Sequence, residues 1–239
     1  MESFFKTDRG RVRDTNQDFV YMSESPVGAL PNLFMVADGM GGHNAGDFAS
    51  KYTVETVEGY LKSRAGTDYK ALIKDALDFA NKGLLETAGS HPAMNGMGTT
   101  SVISVITQNN LLVANVGDSR AYLKSDGLYQ ITRDHSLVAE QLRVGVITKD
   151  EALERNDKNV ITRAVGAFPE LEVDFFEMTV KPGDMLLMCT DGLTNMVSDE
   201  EISAVLDSDL SVREMVLRLV DKAIRAGGTD NVTVALVRI

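Results

Sequence analysis

The chain has 239 residues, 44% hydrophobic and 25% charged, an ordinary globular composition long enough to bury a sizeable core. A net charge of −11 without a local basic stripe argues against nucleic acid and anionic membranes as partners. The lone cysteine, Cys189, excludes an intrachain disulfide, no apolar run reaches the roughly 20 residues of a bilayer-spanning helix, and the start lacks the basic flank and apolar stretch of a signal peptide, so a cytoplasmic protein without a membrane anchor is expected.

The first apolar segment with β character is 33–37, followed by a helix over 46–61. The next helix, 69–85, is the clearest: Tyr69, Leu72, Ile73, Ala76, Leu77, Ala80 and Leu84 share one face, which is expected to cover a sheet. Strands at 101–107 and 111–116 follow. Asp126-Gly127 then joins 121–123 to 128–131, the local signature of a tight antiparallel hairpin. Between residues 136 and 163 lie two short helical pieces, one ending at Gly145 and one opening with a Thr148/Glu151 capping box, which reads as a surface flap. A strand at 185–189, a single helix at 211–226 capped by Ser211 and Glu214 and stopped by Gly227, and a last strand at 232–237 complete the chain. This order lacks the regular strand-helix alternation of a parallel doubly wound sheet and predicts an α+β layered sandwich. No repeat, low-complexity tract or flexible linker divides it, so residues 1–239 are read as one domain with the flap at 136–163.

Three apolar strands run directly into an aspartate beside a glycine, at Asp38-Gly39, Gly117-Asp118 and Asp191-Gly192, and a fourth aspartate, Asp230, precedes the final strand. Strand ends hold side chains rigidly at a sheet rim, and the glycines are expected to let backbone carbonyls approach a ligand. Any one Asp-Gly pair is equally at home in a turn. Four carboxylates gathered at one rim would repel each other unless cations neutralised them, and all-oxygen donors select hard ions such as Mg²⁺ or Mn²⁺.

Five motifs occur in order: Arg13-Asp14-Thr15-Asn16-Gln17-Asp18, Asp38-Gly39-Met40-Gly41-Gly42-His43, Gly117-Asp118-Ser119-Arg120, Thr190-Asp191-Gly192 and Gly228-Thr229-Asp230-Asn231. Together they span essentially the whole chain, which resembles the metal-dependent serine/threonine protein phosphatases of type 2C, in their compact bacterial branch. The resemblance implies a central sandwich of two antiparallel sheets flanked by helices (α-β-β-α), with the metals in a cleft at one end. It implies two core Mn²⁺ or Mg²⁺ ions and a third. Asp38 would bridge the core pair, with the Gly39 carbonyl beside it. Asp191 and Asp230 would hold the first ion, Asp18 would act through water on the second, and Asp118 would share the third with Asp191. Arg13 corresponds to the phosphate clamp, a role suited to a planar guanidinium fork. Many relatives carry a histidine directly after the Asp-Gly pair; Met40 stands there, and His43 becomes the candidate general acid.

The implied reaction is hydrolysis of phosphoserine and phosphothreonine by a water held between two cations, in a monomer that reverses the action of a cognate Hanks-type kinase on phosphorylated proteins. A partner-binding pseudophosphatase would be expected to lack one of the carboxylates, and none is missing. The acidic charge argues against a nuclease built on the same carboxylates, and phosphopeptides tested against nucleotides would separate a nucleotidase. His91 and His135 show no acidic or ligand pattern nearby in sequence and read as structural or surface residues. Arg163 reads as solvated or structural, and Cys189 as a small buried hydrophobe.

Overall fold

The computed structural model describes residues 1–42, 45–155, 157 and 160–239. Its centre is a pair of antiparallel sheets. One contains β1 (Glu2–Asp8), β7 (Arg120–Lys124), β8 (Leu128–Gln130), β10 (Met185–Cys189) and β11 (Val232–Arg238), in the order β1-β11-β10-β7-β8. The other contains β2 (Asp18–Ser23), β3 (Leu33–Met40), β5 (Ser101–Ile106), β6 (Asn110–Val116) and β9 (Asp174–Thr179), in the order β2-β3-β5-β6-β9, and the two-residue β4 (Gly98–Thr99) pairs with the end of β3.

Period-two side-chain alternation sorts the apolar residues into three layers. In β3, Leu33, Met35 and Ala37 face α1 (Ala45–Lys62) and α2 (Tyr69–Ser90), while Phe34 and Val36 enter the layer between the sheets. In β10, Leu186 and Met188 enter that middle layer, and Met185, Leu187 and Cys189 face α5 (Asp191–Thr194), α6 (Asp199–Leu206) and α7 (Val212–Arg225). Central strands are therefore covered on both faces, and this is why they read as unbroken apolar runs although the sheets are antiparallel. The edge strands β1, β2 and β9 are only partly buried and mix polar with apolar residues, so they carry no such run.

The helix caps follow the sequence closely. Ser211 and Glu214 form the expected reciprocal capping box at α7, whose buried stripe contains Val212, Met215, Val216, Leu219 and Val220. The helix expected at 69–85 continues to Ser90, and its buried Asn81 donates to the Phe168 carbonyl at 2.9 Å while accepting from Gly166 N at 2.6 Å. The 125–127 connection joins β7 to β8 as an antiparallel hairpin. Between residues 136 and 163, α3 (Leu137–Arg143) and α4 (Lys149–Glu154) form as expected, the latter on a realised Thr148/Glu151 capping box, and a Ser136–Ile161 bridge closes the base. One expectation is corrected: three helices, not one, separate β10 from β11. The two shorter helices escape a periodicity search because α5 has a single turn and α6 only eight residues.

Leu186 is fully buried between the sheets. Leu186→Ala should cost about 2–5 kcal/mol through lost burial and the cavity left behind, whereas Ser211→Ala at the surface cap should cost about 1 kcal/mol. Urea titrations of both variants, with slopes matching the parent, would check the ranking.

Candidate metal centre and active site

The two sheets bring their aspartates to one end of the sandwich. Asp18 opens β2 and stands in register with Asp38 on β3. Asp118 lies in the turn between β6 and β7, Asp191 in the first turn of α5 after β10, and Asp230 just before β11. Asp38, Asp118, Asp191 and Asp230 line one cleft with Arg13, Gln17, Thr100 and Ile161. Asp18 lies beneath it, buried. Residues separated by up to 212 positions, from Asp18 to Asp230, thus share one electrostatic environment.

Asp230 pairs with Arg13, whereas Asp18, Asp38 and Asp191 are positioned by hydroxyl, amide and backbone groups. The Asp18 Oδ2 accepts from Thr190 Oγ1 at 2.9 Å and from Thr233 Oγ1 at 2.7 Å. Asp38 is fixed through its main chain: its N–H donates to Thr100 Oγ1 at 2.9 Å, and its carbonyl accepts from Thr100 N and Thr99 Oγ1, each at 2.9 Å. Asn195 donates to Asp191 Oδ2 at 3.0 Å. Asn231 ties the rim together, accepting from Gln17 N at 2.8 Å and donating to the carbonyls of Arg9 and Thr15, each at 2.9 Å. Thr99, Thr100, Thr190 and Thr233 escape the sequence reading. Their signal was a hydroxyl standing within or beside an apolar strand, as in Val232-Thr233-Val234.

Two of the glycines also make room for the chain's own backbone. A Cβ on Gly39 would lie 2.0 Å from the Gly46 carbonyl oxygen, and one on Gly192 would lie 1.9 Å from that of Asn231. What their small size admits here is the neighbouring backbone of the chain itself.

Burial and mutual repulsion dominate the electrostatics. Desolvation raises the pKa of Asp18 and of Asp118 to about 7, with the charges of Asp191 and other aspartates adding to it. Desolvation, then the charges of Asp18 and Asp191, push Asp38 well above the ordinary carboxylate range. Asp191 is raised by burial and by Asp230. Arg13 is the cation of the cleft, its Nη2 lying 2.8 Å from Asp230 Oδ2, with its side chain half exposed.

Among the described residues, buried Asp18 Oδ1 and Asp191 Oδ1 have no hydrogen-bond partner. Among the described residues no three Asp, Glu, His or Cys side chains are already drawn into a finished ligand cage; the donors line the cleft. Orphaned, buried, mutually repelling oxygens fit hard divalent cations, which would satisfy those lone pairs and offset the repulsion.

The structure therefore brings together Arg13, Asp18, Asp38, Gly39, Asp118, Asp191 and Asp230 as expected. His43 lies outside the described residues. Arg163 is structural, paired with Asp174 at 2.9 Å and Glu172 at 2.8 Å. His91 is exposed. His135 is buried, and its Nε2 lies 3.2 Å from Asp174, a partner 39 positions away that local sequence does not reveal. Cys189 is fully buried, and burial pushes its thiol up to about 12, so it is no nucleophile.

A family model described as Protein phosphatase 2C matches residues 8–230. The chain is 39% identical over 246 residues to serine/threonine phosphatase stp of Listeria innocua serovar 6a, covering 99% of this chain and 95% of that relative. Its fold is similar to the S. agalactiae serine/threonine phosphatase, with a TM-score of 0.93 and 34% identity over 100% of this chain and 99% of the other. It is also similar to the catalytic domain of serine threonine protein phosphatase PstP in complex with 2 manganese ions, with a TM-score of 0.85 and 36% identity over 98% of this chain and 96% of the other.

The raised carboxylates set the pH dependence of the metal-free protein. An acid with a raised folded-state pKa binds its proton more tightly folded than unfolded, so its contribution is full below the ordinary 3.8 and is lost as pH rises through about 7 for Asp18 and Asp118. In chelator, Asp38→Asn removes one repelling charge. Its melting temperature should exceed that of the parent by a margin that widens from pH 5 to pH 8, as thermal unfolding at successive pH values would show.

Proposed function

The chain belongs to the protein phosphatase 2C family and is a divalent-metal-dependent serine/threonine protein phosphatase of bacterial type, and from that premise we propose how its residues divide the work. Asp38, with the Gly39 carbonyl beside it, would serve two core Mn²⁺ or Mg²⁺ ions; Asp191 and Asp230 would hold one of them, Asp18 would act on the other through water, and Asp118 with Asp191 would hold a third. The chemistry such cations would supply is neutralisation of phosphate charge and a lowered pKa for a water able to attack phosphorus. The observation that carries this reading is the pair of buried carboxylate oxygens, on Asp18 and Asp191, without a hydrogen-bond partner among the described residues, in a cluster whose repulsion cations would offset at neutral pH.

The remaining work falls to the side chains around them. Arg13 engages Asp230 through one guanidinium nitrogen and keeps further N–H donors for the phosphoryl oxygens, holding the phosphate in register with the carboxylate rim. Threonine hydroxyls hold the Asp18 carboxylate, and the Thr99 and Thr100 hydroxyls with the Thr100 N–H fix the main chain of Asp38. No side-chain nucleophile is needed. A serine or threonine alkoxide leaves poorly unless protonated, and His43 is the residue assigned to supply that proton.

Substrates are phosphorylated proteins. The natural set is proposed to include a cognate Hanks-type kinase and that kinase's targets, acted on by a cytoplasmic monomer whose one catalytic domain carries the 136–163 flap. No helix among the described residues is long and apolar enough to cross a membrane.

Turnover of a phosphothreonine peptide, measured against nucleoside phosphates with and without Mn²⁺, tests the activity. Peptide turnover should require the metal and exceed nucleotide hydrolysis; full turnover in excess chelator would overturn the reading. Asp38→Ala, Asp191→Ala and Asp230→Ala should each abolish it in protein whose circular dichroism is unchanged. His43→Ala should slow the peptide by roughly 10² to 10⁴, the usual range for positioned proton transfer, and slow nitrophenyl phosphate much less, because nitrophenolate leaves unaided. Equal losses on both substrates in pre-steady-state turnover would assign His43 to positioning instead.

A further inference from the structure

Beside the carboxylate cleft, one buried titratable residue has no part in the mechanism above. His135 is 5% exposed and lies between the turn that carries Asp118 and the end of the 136–163 excursion. It holds Gly117 twice: its main-chain N–H donates to the Gly117 carbonyl at 3.0 Å, and its ring Nδ1 stands 3.1 Å from Gly117 N. A peptide nitrogen can only donate, so Nδ1 is the unprotonated nitrogen and the hydrogen belongs on Nε2. Nε2 lies 3.2 Å from Asp174 Oδ2, an acceptor, while the other oxygen of Asp174 takes Arg163 at 2.9 Å. Arg163 also lies 3.4 Å from Nε2, a longer contact that a protonated Nε2 cannot accept. The opposite tautomer would set two N–H groups head to head at Gly117.

The turn needs such a hold. Gly117 has φ +102°, a left-handed conformation that costs little only without a side chain, and a Cβ there would lie 2.5 Å from Thr100 Cγ2. The carbonyl of Gly117 also accepts from Asn115 Nδ2 at 3.2 Å, but among the described residues its N–H is met by His135. The histidine's own carbonyl accepts from Thr162 N at 2.8 Å, so the same residue ties down the chain where it returns from the excursion.

We infer that His135, kept in its Nε2–H tautomer by Asp174, is a positioning residue that fixes the Gly117-Asp118 turn and thereby presents the Asp118 carboxylate to a cation. The arrangement follows the general rule that groups behind a ligand orient it through hydrogen bonds. Burial holds the imidazole pKa below its ordinary value, so the ring is neutral at pH 7 and able to accept. The inference rests on the assignment of Asp118 as a ligand made above.

Two substitutions separate the two ring nitrogens. H135N keeps an acceptor near the Nδ1 position, and H135Q reaches toward Asp174 but withdraws the acceptor from Gly117. Calorimetric Mn²⁺ titration should show D118A losing the weakest site, H135Q weakening that site about 10- to 100-fold while sparing the tighter ones, and H135N binding as the parent. H135Q added to D118A should change nothing more. A folded H135Q that titrates like the parent, while D118A loses a site, would overturn the inference and leave the ligand assignment standing; D118A with all sites intact would overturn the assignment and the inference with it. In the unsubstituted protein, ¹⁵N spectra should show His135 protonated at Nε2 and a slowly exchanging Gly117 amide. An Nδ1–H tautomer would overturn the inference whatever the variants do.

Discussion

Five aspartates share one end of this molecule, and their mutual repulsion is the constraint on which the surrounding structure depends. Desolvation alone pushes Asp18, Asp38, Asp118 and Asp191 toward the protonated form, and proximity pushes them further. A chain free to relax would swing such groups apart into water. Here they cannot swing, because each stands at a strand end, a tight turn or a first helical turn whose main chain is fixed by its neighbours. The destabilisation is the reverse side of metal affinity, since a site that repels itself gains most from a divalent cation.

The α-β-β-α sandwich supplies that rigidity. Strands covered on both faces are locked by the helix layers outside and by the apolar layer between the sheets. The rim is fastened by hydroxyls and two side-chain amides in place of basic side chains. Thr190 and Thr233 hold Asp18, Thr99 and Thr100 hold the main chain of Asp38, and Asn231 joins the Arg9–Gln17 segment to the start of β11. Neutral donors position the carboxylates without cancelling the negative charge that a cation requires. Arg13 is the exception, and its half-exposed guanidinium suits a group that must also meet a phosphate.

A second, smaller polar centre lies beside the first. Asp174, His135 and Arg163 bind one another where β9, the Asp118 turn and the end of the 136–163 excursion meet. Arg120 lies close by, forked onto Asp134 and donating to Tyr122. These pairs join three segments, and they place a surface excursion and a proposed ligand turn on one set of hydrogen bonds.

Much of this was legible in the amino-acid order because it follows from short-range rules. Apolar runs ending on Asp-Gly located β3 and β10, the capping boxes located α4 and α7, and the helical face of 69–85 located α2. Three strand-end aspartates beside glycines, with Asp230 before the last strand, pointed to a cluster of oxygen donors. What only the tertiary structure decided are the relations between distant positions: that Thr233 and Thr190 meet at Asp18, that His135 meets Asp174 and Gly117, and that Gly39 and Gly192 are small because a carbonyl of the same chain lies against them. The edge strands β1, β2 and β9 belong with these, since partial burial leaves them no apolar run and their pairing depends on a partner elsewhere. Short-range patterns encode which element forms, because propensity and periodicity act over a few residues. Which side chains face one another across a cleft is encoded only in the packing of whole layers, where the hydrogen bond from Thr233 to Asp18 joins residues 215 positions apart.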